Sequence, residues 1–329
     1  MKNTLIAIIV IYSTLLKGQF NAVYPIGDKP DIGFKNSLRR DKEKILFEAN
    51  PIIRMSIYNN IVRRLQNART IEAKQQANAW YISFRPQIRM YQENSLPVKT
   101  PSYRISILGY QHLCRFIHNN KINLLAISYE SGHYSNGQAD CAFDQNYKDG
   151  TLECKSLYST FNDQTNLSDN LNRRSGNFST NYTEIIIKNR TIIKYDNDNI
   201  LTQWLGYKLG IDLYHDKLLY AFNAGGYSDE DIKFYGRARI KSGIDFMTKL
   251  KSTHFDRFLL ELTSEYITNP HRSVQRMRVE LTANIYLENN LGFFISGVYG
   301  HDNYNYRFVD SGFQMYGGIN FDIFPRIQL

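Results

Sequence analysis

The chain has 329 residues and a formal net charge of +9, with 24 tyrosines, 19 phenylalanines and only 8 prolines. That length is enough for one large domain or two medium ones. The sequence has no zinc-ligand spacing, phosphate-binding loop or nucleic-acid-binding motif, so the basic charge gives no reason to expect a nucleic-acid partner.

The first 22 residues predict a secretory signal peptide. Lys2 supplies the positive start, and an apolar run follows from Leu5 to Leu16. The alternative is an N-terminal membrane anchor, but the run is shorter than the roughly 20 apolar residues that span a bilayer. No later run resembles a transmembrane helix. For an exported chain, the positive charge predicts contact with anionic phospholipid or lipopolysaccharide.

Residues 23–50 are polar, with a charged cluster at 39–44, and we expect an irregular periplasmic N-terminal segment. From about residue 51 to 324 the pattern alternates with period two, and we expect residues 51–329 to form one β-barrel domain. In 276–287 every odd position is apolar and every even position is polar or tyrosine. Strict alternation over roughly 9–11 residues is typical of a transmembrane β-strand, and the apolar faces of 277–287 and 313–323 argue against the alternative, a soluble β-sandwich.

Such runs predict an antiparallel β-barrel of about twelve strands, all-β, which closes without free edges. The predicted strands are 51–62, 77–92, 102–116, 121–135, 178–192, 200–214, 217–225, 231–244, 255–266, 275–288, 291–300 and 311–324.

The strand 121–135 ends in a histidine and a serine. His133 and Ser135 are two residues apart and therefore share a face. The same face carries Ile127 and Tyr129, so we expect it to contact lipid. The strand runs from a tight turn into the longest loop, 136–176, which places the pair at the extracellular end. A histidine beside a serine is the minimum for an activated hydroxyl nucleophile.

Two of the three cysteines, Cys141 and Cys154, fall in this long loop, and Cys114 lies in an apolar strand. In an oxidising compartment the loop pair can form a disulfide; two free thiols are the alternative. Cys114 is expected to be a small buried residue.

Three sequence blocks resemble the outer-membrane phospholipase A family. They are the segment from His133 to Gly137, which reads His-Tyr-Ser-Asn-Gly; the segment from Ser95 to Tyr103, with Ser-x-Pro and a tyrosine six residues after the proline; and Tyr182-Thr183. The resemblance covers about residues 75–324. It implies a bacterial outer-membrane barrel that hydrolyses phospholipid esters as an A1/A2-like, calcium-dependent acyl hydrolase.

The resemblance also implies roles for individual residues. Ser135 would be the nucleophile and His133 its general base. Calcium would be bound by the backbone carbonyls of Ser95 and Gln138 and the hydroxyl of Ser175, in a site completed across a homodimer interface. The family has arginine where Gln138 stands, a change that a carbonyl ligand tolerates.

The third member of the family's site, an asparagine that orients the histidine, departs from the pattern. Aligning on Tyr182-Thr183 places Ser179 at that position, and this register is the one the sequence favours. Asn177 and Asn181 share the face of Ser179, so a shift of two residues would bring an asparagine to His133 instead. The remaining alternatives are a weakened site and a non-catalytic barrel with a structural, lipid-binding or pore role.

Overall fold

The computed structural model describes residues 29–37, 44–61, 64, 75–92, 98–195 and 201–322. The predicted signal peptide, 1–22, lies outside the described residues. The strands are β1 Asp31–Ser37, β2 Ile45–Asn50, β3 Ile53–Asn59, β4 Gln75–Tyr91, β5 Ser102–His118, β6 Lys121–Ser135, β7 Asp140–Cys141, β8 Asp144–Lys148, β9 Ser179–Tyr195, β10 Leu201–His215, β11 Ala238–Lys249, β12 Arg257–Ile267, β13 Met277–Tyr286, β14 Leu291–His301 and β15 Ser311–Phe321. The helices are α1 Leu152–Thr160, α2 Leu167–Asn170 and α3 Asp229–Tyr235, with a 3-10 helix at Asn305–Val309.

The strands form a closed antiparallel barrel. The order around the barrel sheet is β3-β4-β5-β6-β9-β10-β11-β12-β13-β14-β15-β1-β2, and β2 also pairs with β4, whereas β7 and β8 form a separate two-stranded sheet. β2 and β3 pair with successive parts of β4 and are separated at Pro51, which has no N–H to donate to a ladder. Together they make one wall position, so the barrel has twelve strands, as the sequence predicts.

The strand boundaries differ from the prediction in two places. The segment 23–50 was expected to be an irregular periplasmic lead-in, but β1 and β2 lie within it and close the barrel. The predicted strand 217–225 is a loop, and the first part of 231–244 is helix α3. The prediction therefore missed one barrel strand, β1, and included one segment, 217–225, that is not a strand, so the predicted number of strands is still twelve. β1 was missed because its inward side chain, Lys35, is charged; it is 3% exposed and paired with Glu48 at 2.8 Å.

The outer wall is apolar and the inner wall is polar. In β13 Leu281 is 50% exposed, whereas Arg278 and Asn284 on the opposite face are buried. β15 repeats the pattern, with Met315 outside and Gln314 inside. Alternation of this kind around a closed twelve-strand barrel is the architecture of a bacterial outer-membrane protein. Within the described residues, no helix is long and apolar enough to cross a membrane.

The barrel interior is crossed by charge pairs. Arg89 donates to both oxygens of Asp302 at 2.7 Å and also contacts Glu48. In a second charge pair, Arg104 donates to Asp212 at 2.9 Å. Buried charges are tolerated because each has an opposite partner, and removal of one partner would leave the other uncompensated.

The long loop between β6 and β9, 136–178, folds onto the barrel mouth. Cys141 and Cys154 form a disulfide that joins β7 to α1, and Cys114 is a buried free thiol. Phe143 lies at the centre of an aromatic cluster and contacts Tyr158 and Phe234 edge-on at ring-centroid distances of 5.7 and 5.3 Å. The loop is therefore a packed cap that fixes the ends of β6 and β9 relative to each other.

Candidate active site

His133 and Ser135 are at the end of β6, half-buried on its outward face. Tyr134, between them, points inward and is only 5% exposed. Its ring packs on Phe178 at a centroid distance of 5.0 Å, and its hydroxyl accepts a hydrogen bond from the backbone N–H of Asn305 at 2.7 Å. The inward tyrosine thus anchors the strand end that presents the histidine and the serine.

The side chain of Asn136 sets the pairing between β6 and β9. Asn136 is 1% exposed. Its backbone N–H donates to Phe178 O at 3.0 Å, its amide NH₂ donates to Gly176 O at 2.7 Å, and its amide oxygen accepts from the Phe178 N–H at 3.0 Å. These bonds join the two ends of the long loop. In the resulting register Ser135 lies opposite Ser179, and His133 lies opposite Asn181.

Asn181 holds the imidazole of His133. His133 Nδ1 and Asn181 Oδ1 are 3.0 Å apart, and Asn181 Nδ2 donates to the backbone carbonyl of Asp216 at 2.9 Å. A carbonyl oxygen can only accept, so the NH₂ of Asn181 must face Asp216 and its oxygen must face His133. An amide oxygen also only accepts, so Nδ1 carries the proton. In the neutral ring Nε2 is then the basic nitrogen.

The other two candidates for the orienting position lie elsewhere. Ser179 is paired with Ser135 rather than with His133. The amide of Asn177 donates to Asp149 of the long loop at 2.7 Å. The register that the sequence favoured, with Ser179 beside His133, is therefore not the observed one. The strands are shifted by two residues, which keeps the same face outward.

The structure adds groups that the sequence did not single out. Thr183 Oγ1 is 3.2 Å from Ser131 Oγ and 3.1 Å from Nε2 of His215. In the barrel sheet His215 pairs with Asn181, so His133, Asn181 and His215 form one row across three strands. His215 lies more than thirty positions from Asn181 in the sequence, and no local sequence pattern links the two.

Of the three predicted calcium ligands, Ser95 lies outside the described residues. Gln138 and Ser175 are both half-buried, on loop segments that meet where Asp140 N donates to Ser175 O at 3.3 Å. Hydrogen bonds from Lys148 and the Ser175 hydroxyl lower the pKa of Asp140 below its ordinary value. Hydroxyl, carbonyl and carboxylate oxygens are the ligands that calcium takes, so the donor types fit. Among the described residues, no three His, Cys, Asp or Glu side chains cluster as a metal site.

Comparison with known proteins gives resemblance at the level of solved structures. Outer membrane phospholipase A from Escherichia coli is 11% identical, with 91% of this chain and 94% of that chain covered and a TM-score of 0.48. The calcium-bound outer membrane phospholipase dimer from Salmonella typhi is 12% identical, with coverages of 91% and 92% and a TM-score of 0.45. The β domain of the Bordetella autotransporter BrkA is 10% identical, with coverages of 90% and 100% and a TM-score of 0.37. No protein-family model and no curated protein sequence matches the chain.

Proposed function

We propose that this barrel is a calcium-dependent phospholipid acyl hydrolase of the outer membrane, with Ser135 as nucleophile. The observation that carries the proposal is the hydrogen-bonded chain from Asp216 O through Asn181 to His133 Nδ1, with distances of 2.9 and 3.0 Å. Such a chain gives a histidine one protonated and one basic nitrogen, which is what a general base for a serine requires.

In the proposed reaction His133 Nε2 removes the proton from the Ser135 hydroxyl as its oxygen attacks an ester carbonyl of the lipid. The imidazolium that forms is held by Asn181 Oδ1, and it then protonates the departing lysophospholipid oxygen. Water, activated in turn by Nε2, cleaves the acyl-serine ester and releases the fatty acid. Each step uses the same nitrogen, so the fixed orientation of the ring serves both halves of the reaction.

Two features support a membrane lipid as substrate. The outward face of β6 that carries His133 and Ser135 continues towards the membrane through Ile127, which is 38% exposed. The neighbouring strand presents Ile105 directly opposite His133, and Ile105 is 42% exposed. An acyl chain lying along this apolar wall would bring its ester to the extracellular rim, where Ser135 stands.

In this proposal calcium is bound by oxygen atoms of Gln138 and Ser175, with Ser95 as a third ligand. A bound divalent cation beside the serine would polarise the ester carbonyl and stabilise the negative charge that develops on its oxygen. Because the resemblance implies a site completed across an interface, the active form is proposed to be a homodimer.

The test is hydrolysis of phospholipid in mixed micelles by purified, refolded protein, with Ser135→Ala as the matched control. We expect fatty-acid release by the wild type that requires calcium and is lost in Ser135→Ala. Equal release by both proteins would mean that another group or a contaminant is responsible. If neither protein released fatty acid with calcium present, the barrel would not be a phospholipid acyl hydrolase.

A further inference from the structure

The loop from Asp216 to Ser228, between β10 and α3, covers the outward side of the His133 site. Asn181, Thr183 and Ser131 all face outward by strand parity, yet their exposed fractions are 0%, 5% and 0%. A lipid-facing position in this barrel is ordinarily well exposed, as Ile185 on the same strand shows at 40%. Polar side chains on the outer wall are therefore kept away from lipid by protein.

Two contacts connect this loop to the site itself. At its start, the Asp216 carbonyl accepts the hydrogen bond that sets the orientation of the Asn181 amide. Near its end, Gly225 has φ +67° and lies against the imidazole. A methyl group at Gly225 would clash with His133 Cε1, and it would lie 3.1 Å from His133 Nδ1 and 2.8 Å from Ser179 Oγ, so the ring would have to move.

The loop is held in place by a stack on His215. The rings of His215 and Tyr220 are nearly parallel, 20° apart, with centroids separated by 4.1 Å. The ring of His215 is hydrogen-bonded at both nitrogens, Nε2 to Thr183 Oγ1 and Nδ1 to Lys217 O at 2.7 Å. Tyr220 adopts φ +60°, a conformation that an L residue holds only when its surroundings favour it. The loop conformation is thus tied to the same row of side chains that carries Asn181.

We propose that the Asp216–Ser228 loop is a positioning element of the site, with Gly225 and Tyr220 as positioning residues that act through His133 and Asn181. Gly225 leaves just the space that the imidazole needs to reach Asn181 Oδ1, and the Tyr220–His215 stack keeps the Asp216 carbonyl facing the amide. This inference rests on the proposed function for its kinetic readout, but the geometry it concerns can be measured without turnover.

The chain supplies a matched pair of glycine variants. Gly225→Ala places a methyl group against the imidazole at φ +67°, whereas Gly150→Ala places one at a similar φ of +76° with nothing within 4 Å of it, so the two variants share the backbone strain and differ in the contact. In Gly225→Ala the ring must move away from Asn181 Oδ1, so kcat should fall by roughly 10-fold or more, as for loss of a hydrogen bond to a charged imidazole. KM should stay within about twofold. Gly150→Ala should keep the wild-type kcat.

A second pair tests the stack with exposed side chains, whose removal leaves the barrel intact. Tyr220 and Phe222 are 57% and 61% exposed, and the backbone bonds between Phe222 and Leu218 do not need the ring. Tyr220→Ala should lower kcat, while Phe222→Ala should leave kcat unchanged. If the aromatic rings served only to hold the protein at the membrane surface, both variants would instead change KM alike, and the proposal would be wrong.

The deciding measurement is ¹⁵N NMR of histidine-labelled protein in detergent, with the His133 signal assigned through His133→Gln. The wild type and Gly150→Ala should show a slowly exchanging Nδ1–H, and Gly225→Ala and Tyr220→Ala should lose it. A retained Nδ1–H in both Gly225→Ala and Tyr220→Ala would overturn the proposal. Because this signal does not need substrate, a wild type that shows the expected Nδ1–H but hydrolyses no lipid would contradict the proposed function and leave the positioning role supported.

Discussion

Replacement of Asn181 by alanine tests the orienting bond to His133 most sharply. In the proposed reaction His133 becomes an imidazolium, and a hydrogen bond to a charged group contributes about 1.5–3 kcal/mol. At roughly 1.4 kcal/mol per factor of ten, loss of that bond should lower kcat by about 10- to 150-fold. Asn177→Ala is the matched control, because it makes the same chemical change four residues away on a side chain that contacts Asp149 instead.

The assay is the initial rate of fatty-acid release at saturating lipid. Each protein is first shown to be folded by gel electrophoresis of an unboiled sample, in which a folded barrel unfolds only slowly. Asn181→Ala should be 10- to 150-fold slower, with residual activity that still depends on Ser135, and Asn177→Ala should match the wild type. If Asn181→Ala stayed within about twofold of wild type while Ser179→Ala lost activity, the observed register would not be the one that functions.

Three further outcomes follow from the structure. Ser179→Asn should not raise the rate, since Asn181 already holds the imidazole and the Gly225 backbone passes close to the Ser179 hydroxyl; a clear gain would favour the register with Ser179 beside His133. Leu281→Arg should lower the free energy of unfolding by about 2–4 kcal/mol if residue 281 faces mid-bilayer lipid. Thr282→Arg, inside the barrel beside Glu280, should lower it much less. Equal losses in urea titrations would contradict the assigned faces. A calcium chelator should abolish hydrolysis and added calcium should restore it, and full activity in chelator would make Gln138 and Ser175 ordinary loop residues.

The sequence predicted the barrel because alternation is a local signal. The outward apolar positions of β13 and β15 are visible in a dozen consecutive residues. The same alternation within β6, where Ile127 and Tyr129 share a face with His133 and Ser135, placed that pair on the outer wall. β1 was missed because a buried lysine and a short length obscure its alternation. The charge that makes it appear irregular, Lys35, is neutralised by Glu48 of the neighbouring strand, and such pairing cannot be recognised from either segment alone.

The proposed orienting residue was harder to predict than the proposed nucleophile and base for a physical reason. His133 and Ser135 share one strand, so their spacing fixes their relation. The partner of His133 depends on how a loop of about forty residues closes, and that closure is set by Asn136 bonding across it to Phe178. Sequence parity limited the choice to Ser179, Asn177 and Asn181, because a shift of one residue would change the face. The choice among the three required the register itself.

The most direct measurement of the central chemistry is covalent labelling of the nucleophile. An alkyl fluorophosphonate, which reacts with a serine hydroxyl activated by a base, is added to folded protein in detergent, and the modified peptide is identified by mass spectrometry. The label should be found on Ser135 in the wild type, at a rate much lower in His133→Gln. A wild type that takes up no label at Ser135, or labels it as fast in His133→Gln, would contradict a histidine-activated serine at this site.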